Sequence, residues 1–259
     1  MDKEENKKIE GISIIIPCLN EENYVGIVLA CLARQTFQNF EALVIDGLSE
    51  DKTQAAVDRA IEMYPELKGK VRFLSADKKG VAYQRNYGAR AAIYNRLMFF
   101  DADVQIPNTF LSFLLKEVEK HDLDVATTVF EPISERVDDR VLYFIGNLYI
   151  MVKQFFLPVA MGFCIFSTKK IHEAIGGFDE TIKVGEDFDY VERASKAGAK
   201  FRVLIRERAY VSIRRLKKEG RFTYYKKALL SQLLEVVKDK KEIAAAMEYE
   251  FGNYDQAAK

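Results

Sequence analysis

The chain has 259 residues, 49% of them hydrophobic and 30% charged, with 39 Lys and Arg set against 39 Asp and Glu. That balance describes an ordinary globular protein, long enough for one large α/β domain or two small ones, and excludes a disordered chain. A formal charge of zero leaves no global footprint for nucleic acid, so no nucleic-acid partner is expected.

The balance does not hold locally. From Arg206 to Lys227 nine Lys and Arg face only Glu207 and Glu219, a net of +7, which calls for an anionic partner, either a phosphate or a membrane surface. Cys18, Cys31 and Cys164 show no paired or metal-type spacing. The opening MDKEENKKIEG lacks the apolar core of a secretory leader, and a reducing, cytoplasmic setting is expected. His121 and His172 fall in separate helical patterns and are expected on the surface.

In chain order, Ile12–Ile16 is a β-branched run ended by Pro17 and predicts a first buried strand. Val25, Val28, Leu29 and Leu32 then recur at helical spacing. Ala42–Ile45 and Lys52–Tyr64 predict a second strand and helix, Val71–Leu74 and Val81–Tyr94 a third pair, and Leu97–Phe100 a fourth strand. Such alternation predicts βαβ units and a mostly parallel sheet flanked by helices. Beyond it, Pro107 opens a helix carrying Phe110, Leu111, Leu114, Leu115 and Val118, and Asp124–Phe130 predicts a strand. Phe163–Ser167 predicts another strand, Thr168–Ile175 a short helix stopped by Gly176-Gly177, Asp187–Lys196 a helix, Phe201–Ile205 a strand, and the chain is expected to end in helix.

The fourth strand delivers Asp101-Ala102-Asp103. Residues i and i+2 of a strand share a face, so both carboxylates are expected to leave its end together, where they repel unless a cation lies between them. A hard divalent ion with oxygen ligands, Mg²⁺ or Mn²⁺, suits that pair. Three earlier loops reach the same carboxyl edge of the sheet, where open α/β sheets bind ligands. The first, PCLNEENYV, carries Asn20 and Glu21, which could equally cap the helix that follows. The second begins at Asp46, placed to accept hydrogen bonds from a ribose or a base edge, with Ser49 and Asp51 as further capping candidates. The third, KKGVAYQRNYGA, offers Gly80 for close backbone approach and Arg85 for a diphosphate or a base.

The succession ISIIIPCLNEENYV, VIDGLSEDKT, KKGVAYQRNYGA, FFDADVQIP and GGFDE…GEDFDYVERASKAG resembles the family 2 glycosyltransferases with the GT-A fold, over residues 12–215. The resemblance implies a single GT-A domain, with a nucleotide-sugar half at about 12–105, an acceptor half at about 106–215 and a helical extension at 216–259. It implies a nucleotide-diphospho-sugar donor, UDP- or GDP-type, held by Pro17, Asn20, Glu21, Asp46, Arg85, Asp101, Arg214 and Arg215. Asp103, with Asp101, would hold Mn²⁺ or Mg²⁺, and Asp187 of Glu186-Asp187 would be the catalytic base of an inverting transfer to a hydroxyl on a glycan or lipid-linked acceptor. Leu48, Glu50 and Lys52 depart from the small residues common at their positions, and no histidine accompanies Arg214 as a third protein ligand.

Val141–Val152 carries no charge, and after Lys153 none appears until Lys169, but neither run reaches the ~18 to 20 residues of a spanning helix. No transmembrane helix is expected. The stretch at 141–160 reads as core or homodimer interface, or else as an acceptor wall or peripheral contact with the inner face of a membrane. Other classes fit less well. Gln105 stands where a HAD-type phosphatase has Thr or Val, and PCLNEE lacks the glycines of a nucleotidyltransferase loop. A nucleotide-sugar-binding scaffold of the same fold without catalysis is the alternative reading.

Overall fold

A computed structural model describes residues 10–221. Its elements run β1 (Ile12–Cys18), α1 (Val25–Ala33), β2 (Phe40–Asp46), α2 (Thr53–Met63), β3 (Val71–Ser75), α3 (Val81–Ala91), β4 (Arg96–Phe100), α4 (Phe110–His121) and β5 (Val125–Pro132). They continue with α5 (Val137–Lys153), β6 (Cys164–Thr168), α6 (Lys169–Ala174), α7 (Glu186–Lys196), β7 (Phe201–Val211) and α8 (Arg214–Glu219). Every expected strand and helix within the described residues is present. The remainder of the extension at 216–259, with Lys226 and Lys227 of the basic run, lies outside them.

One seven-stranded sheet has the order β3-β2-β1-β4-β6-β5-β7, with β6 antiparallel to both neighbours and all other pairings parallel. The order reverses at β1, whose neighbours are β2 on one side and β4 on the other, so a crevice opens above their carboxyl ends. β1, β2 and β4 are continuous apolar runs because helices cover both faces, and their side chains split between two core clusters. Pro17 fits inside β1 because the β1–β4 ladder ends at Ile15, and its missing N–H falls beyond the ladder.

β7 runs six residues further than its apolar segment predicts. Its second half, RERAYV, reads as loop by composition, yet it continues parallel to β5 beyond an irregularity between Thr128 and Phe130. As an edge strand, β7 tolerates the charges that a central strand would bury.

Two expectations are corrected. His172 is not a surface residue: it is buried, with Nδ1 3.1 Å from the Tyr190 hydroxyl and its ring against Phe99 and Phe178. The stretch at 141–160 is not simply core. Of α5, only Asp139 and Ile150 are buried, and the face carrying Phe144, Ile145 and Leu148 stands open. Among the described residues no helix is long and apolar enough to cross a membrane.

Candidate active site

The loops after β1 and β2 are joined backbone to side chain. Asn20, at φ 58°, donates its N–H to Ser49 Oγ at 2.8 Å and accepts from the Glu50 N–H at 2.8 Å. The Glu21 N–H donates to Thr53 Oγ1 at 2.9 Å and the Glu22 N–H to Asp51 Oδ2 at 3.0 Å. Asn20 and Glu21 do not cap α1, which has no side-chain cap at its N-terminus; their side chains meet Glu50 N–H and Arg214 instead, and Ser49 and Asp51 accept from the first loop. Asp46 accepts from the Ser49 N–H at 3.2 Å through Oδ2, while its buried Oδ1 has no partner. Leu48 sits at φ 67°, the left-handed region that favours glycine, which explains why a small residue is common there.

Asp101-Ala102-Asp103 forms a turn after β4, and each of the two carboxylates has a guanidinium of its own. Asp101 Oδ1 accepts from Arg85 Nη2 at 3.0 Å, whereas Asp103 Oδ2 lies 3.0 Å from Arg214 Nε. Arg85, 2% exposed, also donates to Glu186 Oε1 at 2.9 Å and to the Gly162 carbonyl at 2.9 Å. It joins the turn after β4 to the start of α7, and Glu186 lies 101 residues from Arg85 in sequence. The same Gly162 donates its N–H to Asp187 Oδ2 at 2.6 Å, and the Phe188 N–H holds Oδ1 at 2.9 Å. Arg214 closes the other side. Its two terminal nitrogens grip Glu21 at 2.6 and 2.7 Å, and its guanidinium lies over the Tyr24 ring at 4.4 Å. Arg215 bonds Glu219 along α8 at 3.0 Å, and Pro17 is buried in β1.

Five carboxylates thus meet two guanidiniums. Burial raises Asp187 to about 7, with the Glu186 charge adding to it. Burial, with Asp101 nearby, lifts Asp103 to about 6 against the pull of Arg214. Glu21 rises to about 7 by burial, although Arg214 lowers it again, and its short bidentate bonds describe a paired carboxylate. Such a cluster is short of positive charge.

No group of three or more candidate ligands is assembled among the described residues. Asp101 and Asp103 still fit a divalent ion: they are hard oxygen donors on one turn, and Mg²⁺-type sites often take one or two carboxylates and leave the remaining positions to phosphate and water. Sequence reasoning missed Gly162, Ser212 beside Asp103, and Gln84, whose Nε2 donates to the Cys18 and Ile45 carbonyls at 2.8 and 2.6 Å. Gln84 lies in the third quoted stretch beside Arg85, but its role, like those of Gly162 and Ser212, shows only in the fold.

The family model described as "Glycosyl transferase family 2" matches residues 13–175, and the chain belongs to that family. Its fold is GT-A. The mannosyltransferase PcManGT from Pyrobaculum calidifontis, in complex with GDP-Man and Mn²⁺, superposes with a TM-score of 0.71 at 19% identity over 91% of this chain and 68% of that one. S. aureus TarS 1-349 in complex with UDP-GlcNAc gives 0.62 at 20% identity over 78% and 58%. Among curated relatives, the dolichyl N-acetyl-alpha-D-glucosaminyl phosphate 3-beta-D-2,3-diacetamido-2,3-dideoxy-beta-D-glucuronosyltransferase of Methanococcus voltae is 26% identical over 73% of this chain and 63% of its own. Glycosyltransferase GlyA of Streptococcus pneumoniae is 24% identical over 54% and 20%. The chain spans between a fifth and just under two thirds of the length of these two relatives.

Proposed function

We propose that this chain transfers a sugar from a nucleotide-diphospho-sugar to an acceptor hydroxyl with inversion at the anomeric carbon. The observation that carries the reading is the joining of Asp101 and Glu186 through Arg85, which sets the donor-side turn and the candidate base Asp187 at one crevice. Asp46, with its unpartnered Oδ1, supports a nucleoside contact beside the Asn20–Ser49 bridge. Arg85 is committed to protein groups, so its part is to position carboxylates rather than to touch the diphosphate. Arg214 meets the same turn at Asp103 and is the less buried of the two guanidiniums, so its reach suits a diphosphate.

Asp103 and Asp101 would hold the divalent ion. That ion would supply positive charge to the departing diphosphate. Asp187 takes the proton from the acceptor hydroxyl as its oxygen bonds to the anomeric carbon, and the bond from that carbon to the diphosphate oxygen breaks. The transition state is oxocarbenium-like. A carboxyl raised to about 7 is matched to a general base working near neutrality.

The Methanococcus voltae relative is named for a dolichyl-linked substrate, and AmsB of Erwinia amylovora, 27% identical over 74% of this chain and 66% of its own, for amylovoran biosynthesis. These names support a glycan or lipid-linked acceptor. Cys18, Cys31 and Cys164 are free, in keeping with a reducing compartment.

The test is a thermal-shift screen of UDP, GDP, dTDP and CMP with Mn²⁺ or EDTA, on wild type and Asp103→Asn, followed by donor-hydrolysis assays with the nucleotide that binds. Metal-dependent stabilisation lost in the variant, with turnover lost in Asp187→Asn, supports the reading. Binding without any hydrolysis or transfer would instead favour the scaffold.

A further inference from the structure

Three consecutive residues of α3, Gln84, Arg85 and Asn86, are polar or charged and yet buried, at 0, 2 and 6% exposure. Successive helical residues point about 100° apart, so each meets a different segment. Gln84 holds the Cys18 and Ile45 carbonyls, and Arg85 the carboxylates of Asp101 and Glu186. Asn86 has no part in the chemistry above, but its amide is spent almost entirely on one residue. It accepts from the Phe178 N–H at 2.8 Å, donates to the Phe178 carbonyl at 2.9 Å, and donates also to Glu180 Oε1 at 3.0 Å. Gly177, at φ 74°, belongs to the same contact, since a Cβ there would collide with Asn86 Oδ1.

What the Phe178 ring meets gives that clamp its meaning. The guanidinium carbon of Arg85 lies 5.2 Å from the ring centre, and the ring is backed by Tyr190 of α7 at 4.1 Å and Phe99 of β4 at 5.0 Å. Hydrogen bonds grip Arg85 only at its terminal nitrogens, and its buried Nε has no partner among the described residues. The ring is therefore the wall that locates the inner side of the guanidinium. From that place Nη1 reaches Glu186 and Nη2 the Gly162 carbonyl, while the Gly162 N–H holds Asp187. We propose that Asn86 is a positioning residue of the transfer: it fixes Phe178, whose ring sets Arg85 and, through Arg85, the base Asp187. The role rests on the function proposed above, and Asn86 itself touches no reacting atom.

The test compares Asn86→Ala, Phe178→Leu and Glu180→Gln in the full chain, by donor kinetics and by the Arg85 side-chain signals in nitrogen-edited NMR, assigned by their loss in Arg85→Lys. In wild type the Arg85 Nη protons should give separate, slowly exchanging signals, because three acceptors hold them in a buried place. In Asn86→Ala those signals should merge and kcat should fall by about tenfold or more, a part of the ~10²-fold that a misplacement of ~1 Å costs. Combined with Arg85→Lys, Asn86→Ala should cost little further kcat, since both act through one guanidinium. Phe178→Leu leaves both backbone bonds to Asn86 in place and should give the same signature; it decides the matter if Asn86→Ala does not fold. Glu180→Gln should keep wild-type kcat, because its bridge to Lys78 is exposed and Asn86 still holds Phe178. The proposal is overturned if the Asn86 and Phe178 variants melt lower with kcat and the Arg85 signals unchanged, if their losses add in full to that of Arg85→Lys, or if Glu180→Gln loses as much. A wild type without transfer or donor hydrolysis defeats the proposed function instead, and the Arg85 signals then decide the positioning alone.

Discussion

Arg214 spans Glu21 and Asp103, with Nε 3.0 Å from Asp103 Oδ2 and both terminal nitrogens on Glu21. It links the loop after β1 to the turn after β4, across 193 residues of sequence to Glu21. A guanidinium thus neutralises a carboxylate that is also proposed to hold a cation. Removing it leaves two buried carboxylates without their partner, an error that costs about 3–5 kcal/mol in buried pairs.

We predict that Arg214→Gln melts lower than wild type in EDTA and that Mn²⁺ restores part of the loss, since the ion can then take the vacated charge. Without nucleotide, Mn²⁺ should bind Arg214→Gln about tenfold more tightly, a change of roughly 1.4 kcal/mol, measurable by titration calorimetry. Equal Mn²⁺ responses in the two proteins would show that Arg214 and the ion do not compete.

Gly162 sets a second prediction. A Cβ there would lie 2.9 Å from Arg85 Nη2 and 3.1 Å from Asp187 Oδ2, closer than either neighbour tolerates without moving. Gly162→Ala should displace the candidate base while leaving the Asn20–Ser49 bridge untouched. The expected result is a kcat reduced by about 10²-fold, the usual cost of a ~1 Å misplacement, with nucleotide-induced thermal shifts preserved. If nucleotide binding falls as much as kcat, Gly162 serves the whole crevice rather than Asp187.

Asp187 gives the third, in the pH dependence. Its carboxyl is raised to about 7 from the usual 3.8, first by burial and then by Glu186. As a base it works ionised, so kcat should rise with pH through an apparent value near 7. The stability effect has the opposite sign. The folded protein keeps a proton that the unfolded chain releases between about pH 4 and 7, so this contribution is present at low pH and lost as pH rises. Asp187→Asn should therefore abolish turnover yet melt higher than wild type at pH 8, by an amount that shrinks toward pH 5. A variant less stable than wild type at pH 8 would mean that Asp187 is held there by more than its ionisation costs.

Much of the architecture was legible in sequence because β1, β2 and β4 are buried on both faces and therefore read as unbroken apolar runs between helices of period 3.6. Asp101, Asp103 and Asp187 stood out only through the order and spacing of the stretches that resemble family 2, since acids at strand and helix ends are otherwise ordinary caps and turns. Partner choice was not legible. Arg85 looks the same in sequence whether it meets a diphosphate or, as here, Asp101, Glu186 and Gly162, since those partners come together only when β4, β6 and α7 assemble. The second half of β7 was hidden by its charges, and the open face of α5 by a composition that reads as core.

His172 was missed for a similar reason and supplies the last prediction. It belongs to the six-residue α6, where no periodicity shows which side faces inward, and the fold places it among Phe99, Phe178 and Tyr190. The Tyr190 hydroxyl donates to Ser167 Oγ at 2.8 Å, which leaves it to accept from the imidazole. Burial lowers His172 to about 4 from 6.5, and Arg193, Arg90 and Lys169 add to the effect. Here the unfolded chain takes up the proton first, so stability is full above about pH 6.5 and is lost as pH falls toward 4, by about 3 kcal/mol at most. This slope opposes that of Asp187 over the same interval and is visible only by difference. His172→Gln should lose less stability than wild type between pH 7 and pH 4 in urea unfolding, whatever its stability at pH 7. Parallel curves for the two proteins would place the imidazole proton elsewhere, with His172 charged inside the fold.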